Sequence, residues 1–209
     1  MKGKKISIAV IRRLPKYYMY LEELESNGVK GISSQELSLL TGFTASQIRQ
    51  DFNNYGGFGQ QGYGYNVPSL KTEIGKILGY DLVKNAVLIG AGKLGKTISM
   101  YPGFKECGLN LIGIFDRNPN SIGIEIDGIQ IQDVTKAEEF LKNKKVSIGI
   151  IAVPKESAQA VADLYIKYGI KGIWNFASID LEVPQDVYVE NVRLNESFLT
   201  LSYFLKNNQ

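Results

Sequence analysis

"VLIGAGKLGKTI", residues 87–98, is the stretch that decides the fold of this chain. A short apolar run ends in Gly90-Ala91-Gly92-Lys93-Leu94-Gly95, the spacing G-x-G-x-x-G, and passes at once into a helical pattern. Strand, glycine loop and helix in that order form the context in which this spacing binds a dinucleotide. The first glycine permits the tight turn, the second lets backbone approach a diphosphate, and the third lets the helix pack on the strand. The diphosphate then rests on the free N–H groups of the helix N-terminus. The next apolar run, "LNLIGIFD" (109–116), ends on Asp116, where a ribose-binding acid belongs. A carboxylate there accepts hydrogen bonds from ribose hydroxyls and repels a 2′-phosphate, which favours NAD(H) over NADP(H). The adjacent Arg117 softens that exclusion.

Downstream, apolar runs alternate with helical patterns. "IQIQDV" (129–134), "VSIGIIAVP" (146–154), "KGIWNFA" (171–177) and "DVYVENV" (186–192) read as strands. "KAEEFLKNKK" (136–145) and "KESAQAVADLYIKYG" (155–169) read as helices. The alternation predicts an α/β fold built on a Rossmann-like, doubly wound parallel sheet. Ligands bind beyond the carboxyl ends of such strands, which adds Val153, Pro154, Asn175, Phe176 and Ala177 to the lining. Pro102 is expected to end the helix after the glycine loop. A last amphipathic helix, "RLNESFLTLSYFLKNN" (193–208), carries Phe198, Leu199, Leu201 and Leu205. That is more apolar surface than a lone terminal helix should expose, so a partner subunit is expected to cover it.

The same glycine spacing occurs earlier, at Gly57, Gly59 and Gly62 in "GGFGQQGYGY" (56–65), where the context is wrong. No apolar strand precedes it and no helix follows. Upstream, "RRLPKYYMYLEELESNG" (12–28) places Leu14, Tyr17, Tyr18, Leu21 and Leu24 at helical spacing, with Pro15 expected in the first turn. "SSQELSLLTG" and "TASQIRQDFNNYG" each open on a capping box, Ser33 with Glu36 and Thr44 with Gln47, and stop at Gly42 and Gly56. Two short helices around a tight turn form a helix-turn-helix. On the second helix Ala45, Ile48 and Phe52 face the core, opposite Ser46, Gln47, Gln50, Asn53 and Asn54, with Arg49 and Asp51 at the flanks. Amide side chains pair bidentately with adenine edges in the major groove, which favours A·T-rich sites. The glycine ribbon, interleaved with Tyr55, Phe58, Tyr63 and Tyr65, is expected to fold as a two-stranded hairpin, the wing of a winged helix, with Gln60 and Gln61 at its tip. "SLKTEIGKILG" (69–79) reads as a connecting helix.

Up to Gly79 there are 10 basic and 6 acidic residues, whereas the remainder holds 14 and 15. A basic first third joined to a near-neutral remainder suits a polyanion partner for the first part. The expected nucleic-acid contacts are Arg12, Arg13, Lys16, Ser46, Gln47, Arg49, Gln50, Asn53, Gln60, Gln61 and Tyr63. There is no histidine and one cysteine, Cys107, which removes the commonest general base and rules out an internal disulfide or a cysteine-based zinc site. No metal is expected. The basic start is followed by no apolar segment, and no membrane span is visible, so a cytoplasmic location is expected.

Taken together, "RRLPKYYMYLEEL", "SSQELSLLTG", "QIRQDFNNYGGFG", "GYGYNV", "GAGKLG", "YPGF", "GIKGIWNFA" and the closing helix resemble the Rex family of redox-sensing transcriptional repressors, over nearly the whole chain. The resemblance implies a homodimer that binds a palindromic double-stranded operator through an N-terminal winged helix. It implies a Rossmann domain that senses the NADH/NAD+ ratio, a C-terminal helix exchanged between subunits, and release of DNA on NADH binding. It divides the chain into 1–79, 80–192 and 193–209, and it adds Tyr101 to the cofactor lining of Gly90, Ala91, Gly92, Lys93, Leu94, Gly95, Asp116 and Arg117. The family's usual R-K-D is Arg49-Gln50-Asp51 here, its basic wing is Gln60-Gln61, its N-F-A-P ends in Ser178, and an Asp usual before the last helix is Arg193. In the family that Asp belongs to a network with the tyrosine matching Tyr101. NADH and NAD+ are the same beyond the nicotinamide, so discrimination falls to Tyr101, Phe176 or Arg193. Two other functions compete. An NAD-dependent dehydrogenase would need an acid–base group beside the nicotinamide, and without histidine none stands out. A CoA- or ADP-binding module would share the glycine loop. The reading adopted is a repressor and not an enzyme.

Overall fold

The computed structural model describes residues 6–56, 58–59 and 64–207. They fall into two compact units, Met1–Leu82 and Val83–Gln209.

The first unit is built on α1 (Ile8–Ser26), whose buried stripe is Val10, Leu14, Tyr17, Tyr18 and Leu21. Here one expectation is corrected. The helix begins at the Ser7 cap, so Pro15 lies inside it and not in its first turn. The hydrogen bond that proline cannot donate would go to the carbonyl of Ile11, whose residue is 46% exposed, so water can reach the unpaired group. Helix α2 (Ser34–Thr41) and helix α3 (Ala45–Asn53) open on the two expected capping boxes. The Ser33 N–H donates to the Glu36 carboxylate at 2.7 Å while the Glu36 N–H donates back to Ser33 Oγ, and these bonds hold the Glu36 pKa below its ordinary value. Gly42, at φ 74°, closes α2. Helix α3 stops at Asn53 instead of running to Gly56, with Asn54 as its cap. Ile48 and Phe52 are buried from α3, and Phe52 packs edge-on against Tyr17 and Tyr65.

The described end of the glycine ribbon carries a short strand. β1 (Gly31–Ile32) pairs antiparallel with β2 (Tyr65–Asn66), so the ribbon's last strand pairs with residues between α1 and α2. Gly64 permits this approach. It sits at φ +74°, and a Cβ there would lie 2.6 Å from the Ile32 carbonyl oxygen. Gly57, Gln60, Gln61, Gly62 and Tyr63, the expected wing tip among them, lie outside the described residues. Helix α4 (Val67–Leu78) follows, capped by the Asn66 side chain and closed by Gly79.

The second unit is a seven-stranded sheet of β3 (Lys84–Ile89), β4 (Leu109–Asp116), β5 (Glu125–Ile126), β6 (Ile129–Asp133), β7 (Ile148–Ile151), β8 (Gly172–Asn175) and β9 (Tyr188–Asn191). Their order is β5-β6-β4-β3-β7-β8-β9. All neighbours are parallel except β5, a two-residue antiparallel edge strand that the sequence did not announce. Helices α5 (Lys93–Ser99) and α6 (Pro102–Glu106) follow the glycine loop, so Pro102 starts a second helix as well as ending the first. Helices α7 (Ala137–Asn143) and α8 (Lys155–Lys167) cover the opposite face. Alternation along β3 makes the layers: Val87 and Ile89 pack with Ala137, Leu141, Ala158 and Ala162, while Ala86 and Leu88 pack with Ile98, Ile114 and Ile150. Helix α9 (Leu194–Asn207) leaves Phe198, Leu199, Leu201, Tyr203, Phe204 and Leu205 all more than half exposed.

Candidate nucleotide site and nucleic-acid interface

The strand order puts the expected cofactor residues side by side. The chain runs from β3 to β4 on one side and returns to β7 on the other, so β3 and β7 flank the switch point where such sheets bind ligands. Reading across the carboxyl edge, Asp116 ends β4 with Arg117 after it, the glycine loop follows β3, Val153 and Pro154 follow β7, and Asn175 ends β8 with Phe176 and Ala177 after it. Tyr101 stands between α5 and α6, 58% exposed.

The three glycines are required for three different reasons. Gly90 has φ +107°, and a Cβ would lie 2.4 Å from the Ala152 carbonyl oxygen. Gly95 allows α5 to press on the turn, since a Cβ there would fall 1.8 Å from the Gly90 oxygen. At Gly92 a Cβ would meet nothing within 4 Å. Of the three, Gly92 at the N-cap is the one with open space where a side chain would begin. Gly92 also brings no side-chain cap to the first-turn N–H groups of α5, which leaves them suited to a diphosphate. Asp116 braces the loop: its Oδ2 accepts from the Ala91 N–H at 2.5 Å and its Oδ1 from the Asn118 N–H at 2.7 Å. The acid is held at the rim of the loop, where a ribose hydroxyl would replace or share the Ala91 bond.

Asn175 stands apart from its neighbours. It is fully buried, its Nδ2 donates to the Ile179 carbonyl and to Asn191 Oδ1, and its Oδ1 accepts from the Ala177 N–H. Its polar atoms hold the turn that presents Phe176 and tie β8 to β9. Sequence reasoning missed the ring series that joins Phe176 to Tyr101. Trp174 lies 4.9 Å from both Phe176 and Phe104, and Phe104 lies 4.6 Å from Tyr101, between ring centroids. The aromatic spacing of "YPGF" and "GIWNFA" was the available signal. It also missed Asp180, whose Oδ1 lies 2.5 Å from Arg193 Nη2.

On the first unit, Ser46, Gln47, Arg49, Gln50 and Asn53 are exposed together on α3. Gln47 Oε1 is occupied by its capping bond from the Thr44 N–H, which leaves its amide nitrogen outward. Arg49 Nη1 donates to Ser34 Oγ at 2.9 Å. Arg12 and Lys16 are exposed on α1, and Lys16 Nζ sits 5.1 Å from the Phe43 ring centre. Arg13 turns inward instead. Its Nε and Nη2 donate to the two oxygens of Asp51 at 2.6 and 2.7 Å, and the Tyr17 hydroxyl donates to the same carboxylate at 2.8 Å. Asp51 is 1% exposed, and burial together with this carboxylate pushes the Tyr17 pKa up. The hydrogen bond to Asp51 likewise raises that of Arg13. The network bolts α3 to α1, so Arg13 supports the exposed amide face from behind.

Among the described residues no group of three or more His, Cys, Asp or Glu is placed to hold a metal ion, and no helix is long and apolar enough to cross a membrane.

Known proteins match both units. Residues 5–53 match the family described as "Putative DNA-binding protein N-terminus" and residues 82–179 the family described as "CoA binding domain". The redox-sensing transcriptional repressor Rex of Clostridioides difficile (strain 630) is 56% identical, over 98% of this chain and 97% of that one. The protein of the same name from Clostridium botulinum (strain Eklund 17B) is 58% identical over 98% and 97%. A crystal structure of RSP in complex with β-NAD+ and operator DNA superposes with a TM-score of 0.92 at 54% identity, covering 98% of this chain and 94% of the other. RSP in complex with β-NADH superposes with a TM-score of 0.91 at 51% identity, over 98% and 96%.

Proposed function

The chain belongs to the Rex family of redox-sensing transcriptional repressors, and from that premise we propose that it binds NAD(H) at Gly90–Gly95 and operator DNA through α3. The observation that carries the nucleotide half is Gly92, where a close-packed turn leaves open the volume a Cβ would fill. Gly90, Ala91, Lys93, Leu94 and Gly95 shape that turn. Asp116, with Arg117 beside it, takes the adenosine ribose, and Val153, Pro154, Phe176, Ala177 and Tyr101 take the nicotinamide half. The bound nucleotide supplies the redox signal, a ring that is cationic when oxidised and neutral when reduced.

Ser46, Gln47, Arg49, Gln50 and Asn53 face the major groove, and Arg12 and Lys16 meet the phosphate backbone. Gln60, Gln61 and Tyr63 add to the DNA contact. The chain acts as a homodimer in which the exposed apolar surface of α9 is covered by a second copy, because burying each large apolar side chain is worth about 1.5–3 kcal/mol. NADH binds the DNA-incompetent dimer better than the competent one and so releases the operator. The site of action is the cytoplasm, where the single thiol of Cys107 stays reduced. With relatives named as repressors, the dehydrogenase reading falls.

The test is a gel shift on the DNA upstream of the protein's own gene, with NAD+ and NADH titrated separately. Retention with NAD+ and release by NADH support the reading. Release by both alike, or by neither, removes the redox switch.

A further inference from the structure

We propose that Tyr165 is a positioning residue for the nucleotide site, whose hydroxyl pins β3 to β7 and so fixes the crevice into which the glycine loop opens. The inference rests on the assignment of NAD(H) to that loop.

Tyr165 lies on α8, is fully buried, and belongs to the core on that face of the sheet. Its ring is seated on bare backbone: a Cβ at Gly149 on β7 would fall 2.2, 2.5 and 2.7 Å from three of its atoms. Only glycine lets the ring lie that close, and the hydroxyl then reaches the strands themselves. It lies 3.1 Å from the Val87 carbonyl oxygen of β3 and 3.0 Å from the Ile150 carbonyl oxygen of β7, and shares its one proton between them. Burial pushes the phenol pKa well above its ordinary value, against a smaller opposing pull from the Ile89 backbone, so the proton stays in place.

What this seam carries gives the pin its function. β3 and β7 are paired from Ala86 with Ile148 to Ile89 with Ile151, and the two strands then run on into the glycine loop and into Val153 and Pro154. The Ala152 N–H donates to the Ile89 carbonyl at 3.0 Å, and the Ala152 carbonyl oxygen is the atom that would lie 2.4 Å from a Gly90 Cβ. The placement of the loop thus depends on how closely β7 is held against β3, and Tyr165 holds it just below that contact. The two strands already pair with each other, so what the hydroxyl adds is restraint. Without it the seam samples wider spacings, only a fraction of molecules is ready for the diphosphate, and the apparent affinity falls by that fraction.

A tyrosine that only fills the core would change stability and leave nucleotide affinity alone. Ile170, 1% exposed in the same core, is the control. Melting curves and calorimetric dissociation constants for NADH, NAD+ and ADP on full-length wild type, Tyr165→Phe and Ile170→Val separate the two roles. Both variants should melt roughly 3 °C below wild type, since a lost hydrogen bond and a lost buried methylene cost similar amounts. Tyr165→Phe alone should weaken all three ligands, by about fivefold and to the same extent, because the pin acts on the loop they share. Wild-type affinities in Tyr165→Phe, an equal loss in Ile170→Val, or a loss confined to one nucleotide would overturn the pin while leaving the nucleotide assignment standing. Failure of wild type to bind NADH would overturn the assignment itself, and the pin with it.

Discussion

Two stretches of this chain share one glycine spacing and do opposite things with it. At Gly90–Gly95 the glycines follow a buried strand and open a helix, and two of the three are squeezed between pieces of backbone. At 56–65 they follow the end of the polar α3 and lead to a two-residue strand paired with Gly31–Ile32. Gly59 is the described member of that copy's spacing, and a Cβ there would meet the edge of the Tyr65 ring at 3.1 Å, a side-chain contact and not a backbone one, eased by a shift of a few tenths of an ångström. A motif of glycines states only where side chains are missing. What the gaps are for is set by the elements on either side.

The largest expected effect that sharpens this contrast is at Gly95. Alanine there would place a carbon on the Gly90 oxygen, so α5 must lift from the sheet. Gly95→Ala is expected to cost the second unit about 3 kcal/mol or more, lowering its Tm by roughly 10 °C in calorimetry. An unchanged melting curve would mean that the turn is not close-packed. Next comes Gly64, which has both the positive φ and the near contact with Ile32. Gly64→Ala should destabilise the first unit by about 2 kcal/mol and weaken operator binding, with NADH affinity intact. Loss of NADH binding in this variant would contradict the division of labour between the two copies. At Gly59 the effect should be smallest. Gly59→Ala is expected to shift stability by about 0.5 kcal/mol and to leave NADH affinity alone, and a tenfold loss of NADH affinity would give the first copy a nucleotide after all.

The sheet was legible because its strands are apolar runs between glycines, and the two capping boxes marked the starts of α2 and α3 to the residue. Other features were hidden for identifiable reasons. β5 is two residues long, below any period. Pro15 sits mid-helix because the cap at Ser7 lies a full two turns upstream, and an exposed proline there costs less than the burial of Val10 and Leu14 returns. Arg13 reads from the sequence as one more cation on a basic helix. Only the fold shows that Asp51, 38 residues away, takes it. Asn175 was placed correctly at a strand end, yet the sequence says nothing about which way a side chain points, and its amide is consumed by Ile179, Asn191 and Ala177. The pairing of Arg193 with Asp180 was hidden in the same way.

The central claim is that NADH acts on DNA binding from the second glycine loop, and Gly92 isolates it. Gly92 has φ −67° and ψ −170°, an extended conformation any residue adopts, and a Cβ there would meet nothing within 4 Å, so valine is expected to leave the fold intact. Fluorescence anisotropy of the labelled operator measures the claim directly, with NADH titrated into complexes of wild type and Gly92→Val. The account predicts equal DNA affinity for the two proteins, release of wild type by NADH, and retention of the variant up to at least about thirtyfold higher NADH, a difference of roughly 2 kcal/mol. Release of Gly92→Val at the same NADH concentration as wild type would contradict it.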